Sequence, residues 1–96
     1  MAFEWDPRKN AVNIGKYGVE FADAVAIFDG PVLERVDDRR DYGEERVIAF
    51  GVAHGREFAV VYTRRGSNKR IISARRANSD ERQAYRKTHP HLARPQ

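Results

Sequence analysis

The chain has no cysteine, which excludes a disulfide framework, a thiolate nucleophile and any cysteine-based metal site. Histidine is scarce, with three residues in 96. His54 falls in a turn candidate, where solvation is its ordinary fate. His89 and His91 share a proline-interrupted segment and lack a third metal ligand. No apolar run approaches the ~20 residues of a membrane span. The opening Met-Ala-Phe-Glu-Trp-Asp lacks the basic-then-apolar layout of a secretory signal. P-loop, dinucleotide, zinc and serine-nucleophile motifs are missing, as are internal repeats. These absences predict a soluble, cytoplasmic protein with no membrane contact, no cofactor and no metal site.

What is present suits one small domain with a single modest core. Hydrophobic residues make up 41% and charged residues 33%, so the chain is globular but densely charged. Lys+Arg outnumber Asp+Glu by 18 to 14, for a net charge of +4. An excess of that size suits an anionic partner, either nucleic acid or an acidic protein segment. The expected division is a domain over residues 1–88 and a flexible tail over 89–96.

In chain order, Phe3-Glu4-Trp5 is an aromatic alternation suited to a short strand or a lid on the core. Asp6-Pro7 supplies an N-cap and a first-turn proline, opening a helix Pro7–Lys16 that Gly18 ends. Its apolar residues Ala11, Val12 and Ile14 predict one narrow inward stripe. Phe21, Ala24, Val25 and Phe28 follow helical spacing, and Gly30-Pro31 stops that second helix. Val32–Val36 reads as a strand. Asp37–Gly43 reads as a solvated mixed-charge loop, its carboxylates unsuited to a metal because arginines stand between them. Val47–Ala53, Phe58–Tyr62 and Arg70–Ala74 form an antiparallel meander, turning at His54-Gly55 and over Arg65–Lys69. Asn78 and Glu81 fit a capping box for a short basic helix, Glu81–Lys87. The order predicts an α+β fold with two N-terminal helices, an antiparallel three- to four-stranded sheet and one C-terminal helix.

The chemistry concentrates on Arg70-Ile71-Ile72-Ser73-Ala74-Arg75-Arg76. A guanidinium in a strand needs a carboxylate or phosphate partner. With Ala53 opposite Arg56, Glu45 falls opposite Arg64, and Arg64 opposite Arg70, placing the three on one face with Arg46 and Arg75 on the other. Such a strip is either a salt-bridged closure of the sheet or a phosphate-binding, acid–base site. Metal-independent RNA cleavage needs a base for the 2′-hydroxyl, an acid for the leaving oxygen and cations for the phosphorane.

Phe3-Glu4-Trp5-Asp6 with Lys9, Asn13, Lys16, Gly18-Val19, Phe21, Ala24 and Phe28-Asp29 resembles the opening of BrnT-type toxins. Glu45-Arg46, Gly51, Val60-Val61-Tyr62-Thr63, the Arg70–Arg75 run and Tyr85 resemble the rest, over residues 3–86. The resemblance implies a RelE-like ribonuclease toxin that blocks translation. It also implies a BrnA-like ribbon-helix-helix antitoxin, and operator DNA bound through the complex. It places the RNA-cleaving residues among Lys9, Lys16, Tyr17, Glu45, Arg46, Arg64, Arg70 and Arg75. Many relatives have Lys-His-Gly-Val where this chain has Lys16-Tyr17-Gly18-Val19. An unperturbed phenol, titrating near ~10, is a poor base at neutral pH but can donate a hydrogen bond or stack on a nucleobase. Arg64, Arg70 and Arg75 are thus expected to bind phosphate and stabilise the transition state, aided by Lys9, Lys16 and Arg46. Glu45 or Tyr17 is expected to move the proton. The alternatives are a non-catalytic RNA-binding module and an antitoxin-docking subunit of a DNA-binding repressor.

Overall fold

The computed structural model describes residues 2–89; His91 and the rest of the expected tail beyond His89 lie outside them. Three helices, α1 (Pro7–Tyr17), α2 (Phe21–Ala24) and α3 (Ser79–Thr88), and a 3-10 segment (Val25–Asp29) surround a five-stranded sheet. The strands are β1 (Phe3–Glu4), β2 (Leu33–Val36), β3 (Val47–Ala53), β4 (Arg56–Arg65) and β5 (Asn68–Arg76), in the order β1-β5-β4-β3-β2. The fold is therefore α+β as expected, but the sheet has one strand more than the three to four predicted. That strand is the N-terminal Phe3-Glu4 pair, which runs parallel to β5. Among the described residues, no helix is long and apolar enough to cross a membrane.

The meander is set by its turns. His54 and Gly55 both take positive φ, 54° and 73°, which matches the right-handed twist of the flanking strands and pairs Ala53 with Arg56 as predicted. Between β4 and β5 the turn is shorter than the five residues expected. Gly66, at φ 60°, lets Gly66-Ser67 alone connect Arg65 to its partner Asn68. Arg64 then pairs with Lys69, and Arg70 with Thr63. The predicted alignment of Arg64 with Arg70 is therefore corrected by one residue, which reverses the face. A second irregularity follows. Tyr62 pairs with Ile71 but Val61 with Ser73, so Ile72 is an extra, bulged residue. The bulge changes parity, and Arg70 and Arg75 share a face.

The two faces are covered differently. Phe21, Ala24 and Ile27 pack over Val60, Tyr62 and Ile71 on one face, with Phe3, Trp5 and Phe28 around them. Ile27, fully buried, is a core residue that the spacing of Phe21, Ala24, Val25 and Phe28 did not include. The predicted second helix tightens to 3-10 after Ala24, so its periodicity changes before Phe28. Gly51 permits this close approach, because a Cβ there would lie 2.9 Å from Ile27 Cβ and 3.2 Å from Val32 Cγ1. On the other face α3 seats Tyr85 against Phe50 and Ala59, and the Tyr85 hydroxyl donates to the Pro31 carbonyl at 2.9 Å.

Helix α1 does not use the apolar stripe expected of it. Val12 is 69% exposed and Ile14 39%, while the residue it buries is Asn13. The Asn13 amide donates to the carbonyls of Val19 (2.8 Å) and Ala74 (2.7 Å), and its oxygen accepts from the Ala74 N–H at 3.1 Å. One carboxamide thus supplies both halves of a strand ladder to β5 where β1 has ended. Asn13→Leu leaves a buried N–H and two carbonyls unsatisfied. At roughly 1–3 kcal/mol for such a group, we expect a loss of about 2–4 kcal/mol in urea-denaturation stability. A loss no larger than that of an exposed control such as Val12→Ala would show that the ladder contributes little.

Candidate functional site

Helical spacing on α1 places Lys9, Val12, Asn13, Lys16 and Tyr17 on one face, at i, i+3, i+4, i+7 and i+8. Asn13 fixes that face against β5, so its neighbours look into a groove beside the strand. Gly18, left-handed at φ 69°, ends the helix and donates its N–H to the Ile14 carbonyl at 2.8 Å. The chain therefore turns away immediately after Tyr17. The groove has a volume of about 460 Å³ and is lined by Arg8, Lys9, Val12, Asn13, Lys16 and Tyr17 from the helix, with Arg46, Ile72 and Ser73 opposite. Four of these residues are cationic and none is a carboxylate. The Lys16 ammonium lies 5.1 Å from the centre of the Tyr17 ring, which is 40% exposed.

The segment before β3 is solvated over residues 38–41 and at Gly43, as expected, but its buried Asp37 and half-buried Tyr42 hold Arg46. Asp37 is buried and receives a two-pronged bond from Arg39 at 2.7 and 2.8 Å. Its N–H donates to the Arg46 carbonyl at 2.7 Å. The Tyr42 hydroxyl also reaches Asp37, at 3.4 Å, and the Tyr42 ring stacks under the Arg46 guanidinium at 4.0 Å. The hydrogen bonds from Arg39 hold the Asp37 carboxyl below its usual range. Arg46 Nε is buried without a hydrogen bond, 3.7 Å from Glu44. Mixed charge suggested solvation, and the exception is Asp37, whose two partners are encoded within five residues.

The remaining sequence-predicted residues divide between the two faces. Arg70 and Arg75 lie on the sheet face of Arg46, but each is held by a carboxylate. Arg70 pairs with Glu4 at 2.8 Å, and Asn68 donates to the same carboxylate at 3.1 Å. Arg75 makes a two-pronged pair with Glu81 at 2.7 and 2.8 Å. That pair adjoins the groove closely enough for Tyr17 to act on the charge of Arg75. Glu45 and Arg64 point to the helix-covered face. There Tyr62 donates to Glu34, Arg64 reaches the Tyr62 oxygen at 3.3 Å, and Lys69 lies 5.2 Å from the rings of Phe28 and Tyr62. Burial, then the Glu34 bond, raises the Tyr62 phenol, and both Arg64 and Glu45 act on its charge. Burial, then the nearby Arg64, lowers the Lys69 ammonium. The predicted strip of Glu45, Arg64 and Arg70 is therefore not assembled, because the short Gly66-Ser67 turn puts Arg70 on the other face.

The structure does bring together Lys9, Lys16, Tyr17 and Arg46, with Arg75 at the margin. Arg8 and Ser73 were missed as lining residues. The recurrence of polar residues at 9, 13 and 16/17 was the available signal, since a helical period marks a face whatever its polarity. Among the described histidines, His89 stacks on Tyr85 at 4.8 Å and His54 stays in its turn, so neither enters this groove.

A family model described as "Ribonuclease toxin, BrnT, of type II toxin-antitoxin system" matches residues 5–81. No curated protein matches the chain.

The Arg75–Glu81 pair carries a prediction about stability. Glu81 also accepts the Asn78 N–H at 2.8 Å, completing the capping box of α3. The hydrogen bonds from Arg75, and secondarily that from Asn78, lower the Glu81 pKa in the folded chain. The stabilisation is present above the ordinary glutamate range and is lost as pH falls through the lowered value. Urea midpoints should therefore drop between about pH 5 and pH 3, and drop less in Glu81→Gln. Equal acid dependence in both proteins would place the titrating group elsewhere.

Proposed function

The chain belongs to the family of BrnT ribonuclease toxins of type II toxin–antitoxin systems, which makes RNA its substrate and an antitoxin its partner; from that premise we propose that it is a metal-independent endoribonuclease acting in the α1–β5 groove. The observation that carries the reading is the lining of that groove, four cations and a tyrosine without a carboxylate. Such a lining suits a phosphodiester and its phosphorane, and it offers no carboxylate to hold a hard divalent cation. The arrangement of helices and sheet is read in the same proposal as RelE-like.

In this reaction the 2′-oxygen attacks phosphorus and the bond to the 5′-oxygen breaks, leaving a cyclic phosphate and a 5′-hydroxyl. Lys9, Lys16 and Arg46 neutralise charge on the non-bridging oxygens, where electrostatic stabilisation acts most strongly. Arg75 contributes from the edge, its guanidinium shared with Glu81. The Tyr17 hydroxyl donates toward the leaving oxygen, and its ring supports a base. Glu45 and Arg64, on the far face of the sheet, take no part. The groove residues include neither carboxylate nor imidazole, so the 2′-proton passes to solvent. Cleavage in the cytoplasm then blocks translation. The same cations fit an acidic segment of a BrnA-like ribbon-helix-helix antitoxin, which would inhibit the toxin and carry it to operator DNA.

Purified protein should cut a defined RNA in EDTA, with a rate that rises with pH through neutrality. Lys16→Ala and Arg46→Ala should each lower kcat/KM by about 10–100-fold, the usual cost of removing a transition-state contact. Tyr17→His, which introduces an imidazole titrating near ~6.5, should raise the rate near neutral pH and bend the profile into a bell. RNA bound but uncut by folded wild-type protein would overturn the enzymatic reading in favour of a binding or antitoxin-docking protein.

A further inference from the structure

Tyr17 borders two cavities. Besides the basic groove, it lines a larger one of about 800 Å³ at the C-terminal end of α1, with Gly18, Glu20, Asp23, His54, Arg56 and Arg76 among the other walls. That volume is within the range that holds a small-molecule-sized ligand, and a nucleotide is such a ligand. The chemistry of this cavity differs from that of the groove. Arg56 and Arg76 supply positive charge, and Glu20 and Asp23 add two carboxylates.

Among the described residues neither carboxylate takes part in a side-chain hydrogen bond or ion pair. Glu20 stands at the N-cap of α2, yet its side chain makes no capping hydrogen bond. The first N–H groups of that helix are served instead by the Glu20 backbone carbonyl and by Asn10 Oδ1, which accepts from Phe21 at 2.9 Å. Neither Glu20 nor Asp23 forms an ion pair among the described residues, although two arginines line the same cavity. Arg56 and Arg76 are equally without a carboxylate partner among the described residues, and Arg76 lies over the Phe58 ring at 5.9 Å.

We infer that this cavity is a base-recognition subsite for the nucleotide next to the cleaved bond, and that it selects guanine. The inference rests on the ribonuclease reading of the neighbouring groove. An RNA strand crossing from the groove passes the half-exposed Tyr17 ring, a stacking surface of the kind single-stranded RNA uses. Arg56 and Arg76 take the adjoining phosphate. Glu20 and Asp23 face the base edge. A carboxylate accepts two parallel N–H bonds only from guanine, whose N1–H and N2 amino group lie side by side. Adenine and cytosine pair one amino donor with an acceptor nitrogen that repels the carboxylate. Uracil presents one N–H between two carbonyls. The basic groove positions the strand without reading it, and the carboxylates read it.

The test uses the full chain and fluorescein-labelled 2′-O-methyl tetranucleotides, which cannot be cut: UUGU, UUAU, UUCU and UUUU. By fluorescence anisotropy, UUGU should bind about tenfold or more tightly than the other three, the discrimination expected of a bidentate contact. In the Glu20→Gln/Asp23→Asn double variant the four affinities should converge to within about threefold, whereas Lys16→Ala should weaken all four alike. Circular dichroism melting of the double variant reports its folding separately. Equal wild-type affinities, a preference for cytosine or adenine, or a guanine preference that survives in the folded double variant would each overturn the inference. Guanine preference without cleavage of the unmodified RNA would overturn the ribonuclease reading, and with it the place beside a cleaved bond, while leaving guanine recognition standing. Cleavage with no preference among the four tetranucleotides would do the reverse.

Discussion

The carboxamide of Asn13, bonded to both backbone groups of Ala74 and to the Val19 carbonyl, is the contact on which the α1–β5 groove depends. Strand β1 covers the edge of β5 for only two residues, and beyond them the edge would present unpaired polar groups. An apolar side chain could exclude water there but could not satisfy them. Asn13 satisfies them and thereby fixes both the distance and the rotation of α1. Lys9, Lys16 and Tyr17 share its face, so that rotation aims them at the bulged Ile72-Ser73 segment. The same amide also holds the Val19 carbonyl, just after the left-handed Gly18. Helix position, helix end and groove are consequently one construction.

Charge in this protein is organised by which cations receive a carboxylate. Arg39 has Asp37, Arg70 has Glu4, Arg75 has Glu81 and Arg86 has Glu57, each with a hydrogen bond of 2.7–2.9 Å. Exposed pairs of this kind contribute little to stability one by one. Their larger effect is to neutralise part of the sheet and α3. In the groove Arg8 and Arg46 also lie near carboxylates, 3.5 Å from Asp6 and 3.7 Å from Glu44, so its unneutralised charge comes from the other two cations. These are Lys9 and Lys16, which form no ion pair among the described residues. A net charge of only +4 on 96 residues can therefore produce a strongly cationic groove. The distribution of the acids, rather than the excess of bases, locates it.

Much of the frame was legible from residue order. The meander, the His54-Gly55 turn, the Asp6-Pro7 start of α1 and the Asn78–Glu81 capping box follow from local rules that the tertiary structure does not override. The misses share a physical origin, because each depends on a long-range polar contact or on a single residue of register. Asn13 was hidden because inward-facing residues are sought among apolar ones, while its partners on β5 are 61 residues away. The bulge at Ile72 leaves no mark in a run of β-branched residues that fits either parity. Asp37 looked solvated because burial of a carboxylate depends on its partners, not on its own polarity. The site was accordingly legible in its residue types and partly wrong in its grouping. Arg46 and Arg75 belong with Lys9, Lys16 and Tyr17, and Glu45 with Arg64 belongs to the other face.

The Arg75–Glu81 clamp limits what the groove can do. Both arms of the Arg75 fork are engaged by one carboxylate that is itself needed to cap α3. A phosphate approaching Arg75 competes with a charge-assisted, two-pronged bond, whereas a phosphate approaching Lys9 or Lys16 meets no ion pair among the described residues. Lysine is a compact point charge on a flexible stem and adjusts to the changing geometry of a phosphorane, while the planar guanidinium of Arg46 is held rigid by the Tyr42 ring. In the proposed reaction the division is an arginine that positions the phosphate and two long-stemmed lysines that follow its charge as it develops. Tyr17 sits at the end of this arrangement, beside an ammonium and within reach of Arg75's charge. Its hydroxyl, a hydrogen-bond donor at the end of the groove, serves the leaving oxygen in the proposed reaction.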